Sequence, residues 1–336
     1  MPNIIVIGAS AGGVEPLRYL VRALPADFPA ATFVVMHVSP LSPPILPKIL
    51  YAPGHPKVVT AVDGQRIEPA RVYVAQPDRH LLVEPGYVRL TRGPRENRHR
   101  PAIDPLFRSA ARAYGPRVIA VVLTGMLDDG AQGLYIVKLQ GGVAIVQDPE
   151  EATFDPMPLS AMKAANVDYV LKVTDMPKKL MELVHEQWQP IELSRAKEVL
   201  RDFTSPEGEK MSEEYDERLN GKPSIFTCPD CSGPLWEVQD GELLRFRCRV
   251  GHAFSPETIR DGYNDSIEGA LWSAVRILEQ SASLERTLAE SAGARGDELA
   301  AHRYLDIASG REDQAGMIRG MLKSKGNKEE SINDIA

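Results

Sequence analysis

Through the first 180 or so residues, short runs of β-branched and aliphatic residues alternate with segments whose apolar positions recur every three to four residues. That alternation predicts a parallel sheet with helices packed on its faces. The predicted strands are Asn3–Gly8, Thr32–His37, Val72–Ala75, Val118–Leu123 and Val143–Val146. Several are apolar throughout, as strands covered on both sides are. Between the first two, Val14, Leu17, Leu20, Val21 and Leu24 keep helical spacing, which gives a βαβ unit with a right-handed crossover. The expected fold class is α/β, a doubly wound, mainly parallel sheet with helices on both faces, over a first domain of residues 1–188.

The pattern then changes. Residues 189–222 are polar and aperiodic, punctuated by Ser205-Pro206-Glu207-Gly208, and read as a linker. Residues 223–258 hold all the cysteines in a small module. Farther on, Ile267, Ala270, Leu271, Ala274, Ile277, Leu278, Leu284 and Leu288 form one helical stripe, the seam of a hairpin or of a dimer contact. A break at Gly293–Gly296 and a second helical stretch make residues 262–322 a helical hairpin, and the charged 323–336 a frayed tail.

Composition narrows the choices. With 43% hydrophobic and 25% charged residues among 336, the chain is no disordered polyelectrolyte. No apolar run approaches the roughly 18–20 residues of a membrane span, so a cytoplasmic protein without membrane insertion is expected. The net charge of −7 argues against nucleic acid as the main partner. Its distribution marks a boundary near residue 190: 20 basic and 18 acidic side chains precede it, 19 and 28 follow.

The three cysteines are grouped with a histidine. Cys228-Pro-Asp-Cys231 and Cys248-Arg-Val-Gly-His252 form a C-x2-C and C-x3-H set with 16 residues between the pairs. This spacing suits a closed tetrahedral zinc site in a zinc-ribbon-like module. Four protein ligands leave no position for a reacting water, so the expected zinc is structural. No cofactor is expected for catalysis.

The candidate chemistry lies at the strand ends of the first domain. After the first strand comes Gly8-Ala9-Ser10-Ala11-Gly12-Gly13, then a helix. A G-x-S-x-G turn there presents a serine hydroxyl beside a helix N-terminus, where an oxyanion or a phosphate is stabilised. A dinucleotide-binding turn is the competing reading. It expects an acid near the end of the second strand, and that strand ends instead in His37. The strand Val118–Leu123 runs into Thr124-Gly125-Met126-Leu127-Asp128-Asp129-Gly130. Serine, histidine and aspartate at three ends of one parallel sheet meet the nucleophile, base and orienting roles of acyl transfer. Among the histidines, His80 and His99 lie at no predicted strand end.

The glycine-rich serine turn, the Met36-His37 strand end, Asn97-Arg98-His99-Arg100-Pro101 with Asp104, and Leu123-Thr124-Gly125-Met126 with Asp129-Gly130-Ala131 together resemble the catalytic domain of chemotaxis protein-glutamate methylesterases, the CheB family. The resemblance covers about residues 1–185. It implies a serine hydrolase that removes methyl groups from glutamate methyl esters on chemoreceptor cytoplasmic helices and deamidates glutamines. Carried over by motif, Ser10 is the nucleophile, His37 the general base and Asp129 the orienting carboxylate. Ala11 and Met126 belong to the oxyanion turn, Met126 through its backbone N–H. Asp128 has the weaker claim to the acid's role.

Two departures stand out. Leu127 occupies the position of the family's second glycine, so a positive φ there would leave it strained. Many family members carry a phosphorylatable receiver domain ahead of the esterase, whereas this chain starts within three residues of the first strand. Regulation by aspartyl phosphorylation in cis is therefore not expected, and a signalling partner is sought on the C-terminal helices. The arginine-rich stretch 89–100 reads either as a solvated loop or as a cationic rim facing an acidic receptor. The rival to the enzyme is an adaptor that keeps the esterase fold for docking, and a weaker third reading is a nucleotide binder using Gly8–Gly13.

Overall fold

Strand β1 (Asn3–Ala9) is buried along its whole length, because it is the centre of the sheet and is covered on both faces. The computed structural model describes residues 3–186, 221–240 and 243–333. After β1 come α1 (Val14–Ala23), β2 (Ala30–Met36), α2 (Leu46–Leu50), β3 (Lys57–Thr60), β4 (Arg71–Val74), and an antiparallel hairpin of β5 (His80–Glu84) and β6 (Tyr87–Thr91). There follow α3 (Ile103–Tyr114), β7 (Val118–Val122), α4 (Ala131–Leu139), β8 (Val143–Gln147), α5 (Pro156–Ala164), β9 (Tyr169–Leu171) and α6 (Met176–His185). Seven strands form a parallel sheet in the order β3-β4-β2-β1-β7-β8-β9.

Alternate residues of each strand feed two apolar layers. Ile5, Ile7, Val34, Val121 and Ile145 pack with Leu17, Leu20 and Val21 of α1 and Leu180 and Leu183 of α6. Ile4, Val6, Phe33, Ala120 and Val146 pack with Leu106 and Phe107 of α3, Leu134 of α4 and Met157 of α5. The doubly wound reading therefore holds. The periodicity missed β3 and β9 because both are short edge strands, partly exposed and without a long apolar run.

The expected linker lies outside the described residues except for its last two, of which Lys222 already opens β10 (Lys222–Thr227). With β11 (Pro234–Asp240), β12 (Leu243–Cys248) and β13 (Ala253–Phe254) it forms a four-stranded antiparallel sheet. The chain divides into two units, one ending at Ile259 and the other beginning at Arg260. The small sheet thus falls in the same unit as the parallel sheet.

Helix α7 (Pro256–Ala294) starts earlier than the expected 262, because Ser255 caps it: the Ser255 Oγ accepts the Thr258 N–H at 3.0 Å. Helix α8 (Glu298–Asn333) carries helical backbone into the segment expected to fray. The hairpin exists, and the stripe read as a hairpin or dimer contact seals it only in part, with Leu271, Ala274 and Leu278 half-buried. Val275, Ala282 and Ala289 at seven-residue spacing are buried, as are Ala308 and Ala315, whereas Ile267, Ile277 and Leu284 are exposed. Small side chains at that spacing let two antiparallel helices approach closely, and Ile267, Ile277 and Leu284 are left outside. The Arg286–Glu312 pair at 2.9 Å bridges the two helices.

Candidate active site

The chain leaves β1 for β2 on one side and later returns to β7 on the other, so the C-terminal ends of these strands form the crevice where open α/β sheets bind ligands. Ser10 follows β1, His37 is the first residue after β2, and Asp129 lies in the turn between β7 and α4. The His37 N–H donates to the Ala9 carbonyl at 3.2 Å, and the Ser10 N–H donates to Thr124 O at 3.1 Å, which ties the three strand ends together.

The side chains meet in sequence. Ser10 Oγ lies 3.1 Å from His37 Nδ1, and His37 Nε2 lies 2.7 Å from Asp129 Oδ2. With a carboxylate on one side, the proton belongs on Nε2, and Nδ1 is left free to accept the serine hydroxyl proton. The ring thus presents Nδ1 to Ser10 and Nε2 to Asp129.

Asp129 is buried, and every neighbour it faces donates. Its Oδ2 accepts the Ile103 N–H at 2.7 Å, and its Oδ1 accepts Asn97 Nδ2 at 3.0 Å and the Asp104 N–H at 3.2 Å. Burial opposes ionisation, but the hydrogen bond and charge of His37 and the Ile103 N–H outweigh it, holding the carboxyl well below the usual range.

A second carboxylate completes the acid's support. Asp104, with no exposed surface, accepts the Gly130 N–H at 3.0 Å and the Gly133 N–H at 2.7 Å on Oδ1, and Asn97 Nδ2 at 3.0 Å on Oδ2. The two helices exchange caps. Ala102 and Gly130 precede α3 and α4 and supply no side-chain cap; Asp129 caps α3 and Asp104 caps α4. Anionic groups at both positive helix ends are favoured. Gly133 permits the approach, since a Cβ there would stand 2.6 Å from that of Phe107. Burial and the adjacent Asp129 charge push the Asp104 carboxyl upward.

The turn residues also find places. Leu127 sits at φ 63°, the left-handed conformation its missing glycine would have taken without strain, so the turn keeps its shape. Gly125 abuts the serine: a Cβ there would lie 2.8 Å from Ser10 Cβ. Its N–H is committed to Phe154 O at 3.0 Å, whereas the N–H groups of Ala11 and Met126 have no acceptor among the described residues. Thr124 Oγ1, 3.1 Å from both the Ala11 and Phe154 carbonyls, pins the serine turn from behind. A cavity of about 310 Å³ opens beside Asp128 and Ser160, but neither Ser10 nor His37 lines it.

His99 stacks on His37, with ring centroids 3.6 Å apart and planes 9° from parallel. Burial and the neighbouring His37 lower its pKa to about 3, so it is a neutral wall that fixes the base's plane. His80 is structural: its Nε2 lies 2.9 Å from Pro94 O. Much of the arginine-rich stretch is engaged internally. Arg92 and Arg100 both pair with Asp78, Arg100 Nε at 2.9 Å. Asn97, His99 and Asp104 stood out in the sequence only as parts of a motif, with no task attached. Nothing in the sequence singled out Arg245, whose guanidinium lies 3.4 Å from Asp104.

Cys228, Cys231, Cys248 and His252 come together with all four ligand atoms within 4.8 Å of one another. The S···S separation of 3.7 Å for Cys231–Cys248, and the S···N separations of 3.6 and 3.5 Å from Cys228 and Cys248 to His252 Nδ1, can be compared with a metal tetrahedron. Arms of about 2.3 Å to sulfur and about 2.0 Å to nitrogen give edges of roughly 3.8 and 3.5 Å. The donor set and its dimensions fit a tetrahedral divalent cation.

The family model described as CheB methylesterase matches residues 5–180. A Leptospira interrogans protein whose name carries protein-glutamate methylesterase and protein-glutamine glutaminase activities is 39% identical over 180 residues, 53% of this chain and 93% of its own. A protein of that name from Thermotoga maritima is 37% identical over 186 residues, and a second from Anaeromyxobacter dehalogenans 39% identical over 181. This chain matches 54% and 53% of those two proteins, about half their length, and 54% of itself in each case. The crystal structure of the Thermotoga maritima CheB methylesterase catalytic domain is similar with a TM-score of 0.51 and 37% identity, over 55% of this chain and 99% of that one.

Proposed function

The chain belongs to the CheB methylesterase family, and on that premise we propose that it hydrolyses methyl esters of glutamate side chains on chemoreceptor cytoplasmic helices and deamidates glutamines with the same nucleophile. The observation that carries the reading is the unbroken hydrogen-bonded series Ser10, His37, Asp129. Ser10 Oγ attacks the ester carbonyl as its proton passes to His37 Nδ1. The tetrahedral oxyanion is received by the N–H groups of Ala11 and Met126, and Asp129 stabilises the imidazolium through Nε2–H. Collapse expels the methoxy group, which takes the Nδ1 proton and leaves as methanol. Water, deprotonated by the same nitrogen, then cleaves the glutamyl-serine ester to glutamate and free Ser10. For a glutamine side chain the leaving group is ammonia.

In this reading Cys228, Cys231, Cys248 and His252 hold a structural zinc, which supplies folding energy to the small sheet and takes no part in bond making. No helix among the described residues is long and apolar enough to cross a membrane, which agrees with a cytoplasmic site of action. A distorted turn at Leu127 would have favoured the adaptor alternative, yet that residue adopts the turn with Asp129 still on His37.

The test is methanol release from a methylated receptor cytoplasmic fragment by the wild-type protein and by Ser10→Ala. Release that vanishes in the variant supports the proposal. Folded, metal-loaded protein that releases nothing from several receptor fragments overturns it.

A further inference from the structure

We infer that the metal-binding module is a working part of the esterase site: Arg245 braces the catalytic acid through Asp104, so that metal loading sets the reactivity of Ser10. This rests on the hydrolase reading above and adds to it a means of control. The matched family region ends at residue 180, so the bracing residues lie outside it.

The module touches the acid's support at three points. Arg245 of β12 reaches Asp104 at 3.4 Å, with side-chain exposures of 8% and 0%. The Ala253 carbonyl of β13 accepts the Asn97 N–H at 2.8 Å, and Asn97 is the residue whose amide spans Asp104 and Asp129. Ser255 Oγ and Thr258 Oγ1 donate to Asp128 Oδ1 at 2.9 and 3.0 Å, one residue before the acid itself. A continuous series therefore runs from Arg245 through Asp104, Asn97 and Asp129 to His37.

The metal ligands flank these contacts. Cys248 ends the strand that carries Arg245, and His252 immediately precedes Ala253. Joining Cys248 to His252 closes the turn between β12 and β13 and fixes Arg245 relative to Ala253. The module's sheet is small, and β13 is two residues long, so a cation held by the four ligands would add much to its rigidity. Arg245 also answers an electrostatic need. Asp104 and Asp129 are buried carboxylates sharing one amide, an arrangement that is costly unless cations face it. Arg245 and Arg108 are the cations that favour the charged form of Asp104. Without Arg245 the charged form of Asp104 is less favoured, its hold on the Gly130, Gly133 and Asn97 donors weakens, and the turn carrying Asp129 loosens.

The experiment measures phosphonylation of Ser10 by a fluorophosphonate, with loss of fluoride, followed by intact mass on the full chain. This readout needs no knowledge of the natural substrate. Wild type labels at one site and Ser10→Ala does not. Arg245→Met slows labelling by about ten- to a hundredfold, the scale of a displaced catalytic group. Arg245→Lys, which keeps the cation, restores most of the rate. Stripping the metal with a chelator slows wild type similarly but adds little to Arg245→Met, since both act through one brace. Should Arg245→Met fold poorly, Ser255→Ala with Thr258→Val removes the hydroxyl contacts without a charge change, and a severalfold slowing is expected. Wild-type rates in these variants, or equal slowing of wild type and Arg245→Met on metal removal, overturn the brace. Absence of any Ser10 labelling in metal-loaded wild type instead overturns the hydrolase reading, and the brace with it.

Discussion

Asp129→Asn removes one charge and no volume, yet it unbalances the hydrogen bonds around this side chain. Four donors converge on this carboxylate: His37 Nε2 and the Ile103 N–H on Oδ2, Asn97 Nδ2 and the Asp104 N–H on Oδ1. A carboxamide offers one oxygen, so its NH2 must face one pair. Turned toward Asn97 and Asp104, it orphans two buried donors, and Asn97 cannot flip in compensation because its Nδ2 is also needed by Asp104. Turned toward His37, it orphans only the Ile103 N–H, because the imidazole can shift its proton to Nδ1. An unpaired buried donor costs about 1–3 kcal/mol, so the second orientation prevails. In it Nδ1 carries the proton and can no longer take one from Ser10. The expected loss in turnover is about ten-thousandfold, or ~5 kcal/mol of transition-state stabilisation, with the fold destabilised by about 1–3 kcal/mol. The assay is the kcat for methyl ester hydrolysis at neutral pH, with urea denaturation alongside. A folded variant retaining more than about a tenth of wild-type turnover would refute the reasoning, since a wrong-tautomer imidazole cannot sustain it.

Other perturbations read out the supporting structure. Glu96, paired with Arg108 at 2.6 Å, has its carboxyl held at about 2 by that charge against the cost of burial. Its folded-state pKa lies below the unfolded one, so it contributes stability present above about pH 4.5 and lost on acidification. The urea midpoint should therefore fall less steeply between pH 5 and 3 in Glu96→Gln than in wild type; equal slopes would contradict the assignment. Leu127→Gly relieves about 1–2 kcal/mol of left-handed strain against about 0.5–1 kcal/mol of added chain freedom, so denaturation should show stabilisation of up to ~1.5 kcal/mol with turnover nearly unchanged. Cys231→Ser should lower bound zinc from one per chain to near none by elemental analysis, and zinc retained in full would place the metal elsewhere.

The sheet was legible because its central strands are continuous apolar runs joined through an amphipathic helix, and because parallel topology sends every strand's C-terminal end to one edge. That alone was enough to bring Ser10, His37 and a β7-turn aspartate together; the choice of Asp129 over Asp128 came from the family motif. The structure supplies the physical difference: Asp129 faces His37, whereas Asp128 faces Ser255 and Thr258. What stayed hidden was non-local. Asn97 adopts φ 47° in an irregular loop, and Asp104 sits in a helix's first turn, where an acid is ordinarily explained by the helix itself. Arg245 lies 141 positions from Asp104 in the numbering, and no periodicity links a strand of one sheet to a helix end beside another. The stripe read as a hairpin or dimer contact seals the hairpin only in part, for a related reason. Periodicity weights large aliphatics above alanines, although close helix packing uses the alanines.

The exchanged caps of α3 and α4 close the loop between Asp104 and Gly130 as a crosslink does, but with hydrogen bonds in place of a covalent bridge. Neither helix can fray at its start alone, because releasing Asp129 uncaps α3 and releasing Asp104 uncaps α4. The amide protons of Ile103, Asp104, Gly130 and Gly133 accordingly belong to one opening event, and should exchange with solvent at a common free energy close to that of the surrounding core. Asp129 then has no shallow excursion of its own. Its position is as durable as the junction of two helices, in a loop that by composition alone would count among the molecule's softer parts.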